Sequence, residues 1–292
     1  MDELAGFALE DLIPLIAYLG LVLTIGLMVT FWGTMQLKAD PDLLKPRLPA
    51  WRANPVEAGI FGCAIIGGYI GALSFVGSLE PSITALWPDT PNIMEILGTV
   101  TMEVFLTLIV IGLYRYFGQD GNRDRINPQP QPLPRNLMIG GLALLGVFPI
   151  LFGINIVWGF LLQVLNELGL GFDIEAQPAV SLLQNMESPG LLALMLFAVV
   201  VMAPVSEELV FRAGVYRLCK NKLPVSASVI VSSLLFAAVH FHWQSMPGLF
   251  LVGACLALIY EYTGDVRANM AFHAAFNLNS VIMIFLVPPG SI

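Results

Sequence analysis

Long apolar runs dominate this chain, separated by short polar breaks. Crossing the hydrocarbon of a bilayer takes about 20 mostly apolar residues. Runs of that length fall near 13–33, 56–78, 93–114, 136–165, 190–218, 225–241, 247–263 and 268–287. They predict an all-α, polytopic helical membrane protein with about eight transmembrane helices. The fourth run contains Pro149 and reads as one kinked helix or as two shorter elements. The last three are joined by tight turns at His242–Pro247 and Thr263–Val266, which makes them antiparallel neighbours. The stretch 119–134 is the one long polar, proline-rich loop. No internal repeat is visible. The chain divides into generic transmembrane helices over 1–189, a core over 190–283 that holds the candidate chemistry, and a short tail over 284–292.

Composition narrows the class. Of 292 residues, 57% are hydrophobic and only 12% charged, roughly half the charged share of an ordinary soluble domain. A soluble globular protein and a disordered chain are disfavoured. With 13 Lys and Arg against 21 Asp and Glu, no global basic field exists for nucleic acid, and the expected partner is the lipid bilayer. No cationic region of a cleavable signal precedes the first run. Cys63, Cys219 and Cys255 lack metal-ligand spacing and read as small buried hydrophobes.

The positions of the charges set an expected topology. Lys38, Lys45, Arg47 and Arg52 follow the first run, and Arg115, Arg123, Arg125 and Arg135 follow the third. Arg212, Arg217, Lys220 and Lys222 close the fifth, and Arg267 follows the seventh. With eight helices all of these fall on one side, while Glu80, Asp89, Glu167, Asp173, Glu175 and Glu187 fall on the other. Basic loops in the cytoplasm and an acidic N-terminus outside are expected. The membrane would be the cell membrane of a prokaryote or the endoplasmic reticulum of a eukaryote. Nothing in the sequence sets an oligomeric state.

Carboxylates inside a bilayer are costly and need a reason. Glu57, Glu95 and Glu261 lie near helix ends, within reach of the interface. Glu103 is deeper and reads equally as half of a structural ion pair or as an accessory to a site. The strongest anomaly is APVSEELVFRAGVYR, residues 203–217. Glu208 and Arg212 are one helical turn apart and can pair. Glu207 points about 100° away and has no local partner. Pro204 removes a backbone bond just ahead of the acids.

Two of the three histidines also fall inside the apolar runs. His240 ends LLFAAVH one turn after Phe236, and His273 precedes Asn277 by one turn. Counted from the turn at Lys222–Leu223, Glu207 and His240 both lie roughly 22 to 27 Å away along their helices. His273 is roughly 9 Å beyond Arg267. The three are therefore expected to meet nearer the cytoplasmic face, with His242 left at the interface. A desolvated glutamate suits water activation, and a His–Asn pair presents donors to an oxyanion. The rival chemistry is a zinc site formed by Glu207, His240 and His273, without the usual HExxH spacing.

Glu207-Glu208-x-x-x-Arg212, Phe236-x-x-x-His240 and His273-x-x-x-Asn277, in that order on successive helices, resemble the three motifs of the CAAX protease and bacteriocin-processing (CPBP) family. That family includes the Ras-converting CAAX prenyl endopeptidases. The resemblance covers about residues 190–283. It implies that Glu207 with His240 activates water, that His273 with Asn277 binds the oxyanion, and that Glu208 with Arg212 supports the fold. It leaves open a metal-free glutamate protease or a zinc enzyme, and the metal-free form is expected here, with no cofactor. The expected function is an intramembrane endopeptidase acting near the cytoplasmic interface. Its substrate would be a prenylated, CAAX-type C-terminus or another membrane-associated peptide. A transporter or proton relay, and a non-enzymatic immunity or scaffold protein, are the alternatives.

Overall fold

Inside a bilayer a chain has no water for its backbone polar groups, so each apolar run closes its hydrogen bonds within itself as a helix. The computed structural model describes residues 9–40, 42, 45–88, 90, 92–117, 126–172 and 178–287, and side chains at all of these except 9–11, 178 and 179. Residues 1–8, Asp89, Arg123, Arg125, Asp173, Glu175 and the tail from 288 onward lie outside the described residues. Among the described residues the structure is helical without strands: α1 (Leu9–Ala39), α2 (Pro55–Leu86), α3 (Ile93–Phe117), α4 (Leu133–Glu167) and the short α5 (Pro178–Gln184). Then follow α6 (Pro189–Cys219), α7 (Val225–Ala238), α8 (Met246–Thr263) and α9 (Val266–Leu286).

Seven of these, all but α5 and α7, are long and apolar enough to cross a membrane. The chain is thus a multi-pass integral membrane protein. The expected fourth run is one continuous helix, with Pro149 inside it. The run expected over 225–241 differs. Its helix α7 has 14 residues, or about 21 Å, short of a hydrocarbon core of about 30 Å. It stops where the polar and aromatic sequence His240–Gln244 begins, and Phe241 takes a left-handed φ of 48°.

Local signals explain the helix ends. Asn54 accepts from the N–H groups of Val56 and Glu57, while Glu57 reaches back to the Asn54 N–H, a reciprocal cap that starts α2. Gly264 ends α8 at φ 66°, a conformation that suits glycine. Asp265 then caps α9.

The basic segments converge on one end of the bundle. Lys220 Nζ donates to the Leu48 carbonyl at 2.5 Å, Arg217 Nε to Pro49 at 3.1 Å, and Arg267 Nη2 to Gln131 at 2.7 Å. Two expectations need correction here. Glu261 does not reach the interface: it is fully buried, accepting from Lys220 and, at 2.6 Å, from the Tyr216 hydroxyl. Cys63 is exposed, because it points off α2 away from the bundle, and Cys219 and Cys255 are half-buried.

The helix that carries His273 is seated by α4. Gly140 is buried where these two helices touch, and a Cβ there would lie 2.5 Å from the Phe272 nitrogen and 2.8 Å from the Ala271 carbonyl carbon. Only hydrogen fits between the two backbones at this point.

Candidate active site

The site begins with an irregularity in α6. Ala198–Met202 and Glu208–Tyr216 are π-helical, with a short α-helical piece, Ala203–Glu207, between them. Pro204 has no N–H to give, which loosens the backbone at this point. Widened turns of this kind collect at functional sites. Glu207 closes the α-helical piece and Glu208 opens the second π segment, so the two carboxylates leave the helix in different directions.

Glu208 turns into the protein. It is wholly buried and accepts from two side chains of α9, His273 Nδ1 at 3.0 Å and Asn269 Nδ2 at 3.3 Å, with Arg212 Nε 3.4 Å away as its ion-pair partner. The Arg212 guanidinium lies 4.3 Å from the centre of the Phe236 ring. The Glu208–Arg212 pair expected from spacing is present, but Glu208 also holds His273. Asn269 was not anticipated, although Asn269, His273 and Asn277 recur every four residues along one face of α9.

Glu207 turns into a cavity of about 540 Å³ lined also by His240, His273 and Asn277. Its Oε2 lies 3.8 Å from His273 Nε2 and 4.0 Å from His240 Nε2. That oxygen is buried and makes no hydrogen bond. His240 sits just past the end of α7, not within it, and its Nδ1 is 2.7 Å from the Phe236 carbonyl oxygen. A carbonyl only accepts, so Nδ1 carries the hydrogen and the neutral ring presents a lone pair at Nε2. The Phe236 ring packs edge-on against both imidazoles, at 4.9 and 5.8 Å. Asn277 Nδ2 donates to the Val199 carbonyl at 2.8 Å, inside the first π segment.

The remaining expectations fall out as follows. His242 also lies on the cavity wall; its Nδ1 is 2.8 Å from the Ser245 hydroxyl. Asn155 of α4 and Gln244 line the same wall and were not foreseen. Glu95 is exposed and Glu57 is half-buried. Glu103 is buried and bonded to Ser206, not to a cation. For zinc, ligands at 2.0–2.1 Å in a tetrahedron sit about 3.4 Å apart. The 3.8 and 4.0 Å separations exceed that, and among the described residues no three His, Cys, Asp or Glu side chains are grouped to hold a metal ion.

Glu207, His240, His273 and Asn277 thus border one cavity within a helical membrane protein. Residues 189–279 match the family model described as type II CAAX prenyl endopeptidase Rce1-like. The match spans about the last third of the chain and is consistent with the resemblance to the CPBP family. No curated protein and no solved structure matches the chain.

Proposed function

We propose that the protein is a metal-independent intramembrane endopeptidase in which Glu207 and His240 activate a water molecule. The observation that carries this is the unpartnered Glu207 Oε2 facing the His240 Nε2 lone pair at 4.0 Å. Two acceptors at that separation do not bond to each other. A water between them can donate one hydrogen to each at ordinary hydrogen-bond lengths.

On attack, the water oxygen bonds to the peptide carbonyl carbon and its proton passes to the glutamate–histidine pair. The carbonyl oxygen becomes an oxyanion. Asn277 can meet it with the amide hydrogen that Val199 does not use. His273 can meet it from Nε2 only as a doubly protonated ring, because Nδ1–H is committed to Glu208; the Glu207 and Glu208 carboxylates flank that ring and complement its charge. Collapse breaks the C–N bond, and the proton held by the pair goes to the leaving amine.

The cavity wall is mainly aromatic and aliphatic, with Phe148, Leu151, Phe152, Leu183 and Phe276 among its lining. This supports a membrane-embedded or lipidated peptide as the substrate, with a prenylated C-terminus the first to try. Purified protein in liposomes should cleave such a peptide. Glu207→Ala and His240→Ala should lower kcat by about 100- to 10,000-fold while unfolding at the wild-type temperature. Folded variants that cleave at the wild-type rate would refute the assignment.

A further inference from the structure

Glu103 lies near the middle of α3 and is 3% exposed. Among the described residues, every other deeply buried carboxylate has a cation or an imidazole beside it: Glu208 has Arg212 and His273, Glu261 has Lys220, and Asp265 has Arg267. Among the described residues Glu103 is in no ion pair. Its carboxyl is hydrogen-bonded to the Ser206 hydroxyl, which also lies 3.1 Å from the Ala203 carbonyl. It stands within electrostatic reach of Glu207 and His273. A buried carboxyl without a cation is costly for stability alone, and the mechanism above does not use it.

The place of this contact in α6 is informative. Ser206 is the residue before Glu207, and the two side chains leave the helix about 100° apart. Ser206 therefore faces α3 while Glu207 faces the histidines. The piece that carries both, Ala203–Glu207, is only five residues long and is flanked on either side by π-helical turns. Regular i→i−4 bonding is interrupted above and below it, so the helix alone holds its rotation weakly. A side-chain bond from the neighbouring helix supplies the missing constraint.

We propose that Glu103 is a positioning residue of the active site, fixing through the Ser206 hydroxyl the angle and depth at which Glu207 meets His240 and His273. The role rests on the endopeptidase assignment, and the small displacement of a reacting group is what it controls. Displacements of about 1 Å cost up to about 100-fold in rate.

The test compares Glu103→Ala, Glu103→Gln, Ser206→Ala and the Glu103→Ala/Ser206→Ala double variant in liposomes. Glu103→Ala and Ser206→Ala should each lower kcat by about 10- to 100-fold with KM unchanged. The double variant should lose no more than the worse single variant, because one contact is removed in each. Glu103→Gln, which keeps length and hydrogen-bonding capacity, should recover most of the rate. Unfolding temperatures in detergent identify any variant that fails to fold; if Glu103→Ala does, Ser206→Ala and Glu103→Gln carry the comparison. In parallel, the rate at which a hydrophobic carbodiimide modifies Glu207 is followed by mass spectrometry. It should change several-fold in Ser206→Ala and Glu103→Ala and return in Glu103→Gln. Unchanged kcat in the two alanine variants, multiplying losses in the double variant, or unchanged Glu207 labelling would overturn the role. If wild type and Glu207→Ala cleave equally little, the endopeptidase assignment fails, and the labelling series still decides the role of Glu103.

Discussion

Glu208 and His273 are joined at 3.0 Å in the protein interior, and this bond determines which imidazole nitrogen is left to the cavity. With Nδ1–H held by the carboxylate, Nε2 faces Glu207. Glu208 is thus more than the partner of Arg212: removing its charge alters the ring that borders the cavity. Glu208→Gln is expected to lower kcat about 100-fold with little change in KM. It should also destabilise the fold by about 3–5 kcal/mol, because the buried Arg212 guanidinium loses its counter-charge. Steady-state kinetics beside thermal unfolding in detergent separate the two effects.

A metal-independent site should ignore strong chelators. Activity after prolonged treatment with a zinc chelator should equal that of untreated protein, and elemental analysis should find no stoichiometric zinc. Stoichiometric zinc together with chelator-sensitive cleavage would replace water activation by Glu207 and His240 with Lewis-acid chemistry.

The contact at Gly140 links packing to chemistry, because the backbone it touches immediately precedes His273. Gly140→Val must push α4 and α9 apart. A loss of about 1–3 kcal/mol in stability is expected from overpacking, along with a fall in cleavage rate. Gly141→Ala serves as the control, since a Cβ at Gly141 meets nothing within 4 Å.

Asp265 supplies a pH signature outside the membrane-spanning segments. Burial alone would raise its carboxyl, but hydrogen bonds from Arg267, the Gln131 N–H and Asn136 outweigh this and hold it below its ordinary value of 3.8. A group depressed in the folded state contributes stability above its unfolded pKa and loses it as pH falls through the folded pKa. The gap in unfolding temperature between wild type and Asp265→Asn should be widest at neutral pH and shrink below about pH 4. A gap that stays constant down to pH 2 would contradict this.

Much of the architecture could be read from apolar run lengths, and the meeting of Glu207 with His240 and His273 from their depth along adjacent helices. What escaped was non-local or irregular. The Glu208–His273 and Glu103–Ser206 bonds join residues 65 and 103 positions apart, and no periodicity reports such a pairing. The π-helical turns of α6 leave no mark beyond Pro204, because the same side chains suit a regular helix. The early end of α7 was hidden by apolar Val239, Phe241 and Trp243, which extend a hydrophobic run without extending the helix. Lys220 can bond Glu261 only because α6 returns beside α8, a relationship of chain folding that spacing within one helix does not reveal.

The brevity of α7 bears on how hydrolysis can happen in oil at all. Proteolysis consumes a water molecule that hydrocarbon does not admit. A helix of about 21 Å leaves part of the bilayer's thickness to the turn His240–Ser245, whose His242, Gln244 and Ser245 line the cavity with Glu207. Backbone that is not helical at membrane depth is tolerated where it borders a wet pocket. On the endopeptidase reading, the polar turn past the truncated helix is the route by which that water reaches Glu207, so that the supply of solvent, as much as the reactive side chains, is set by where α7 stops.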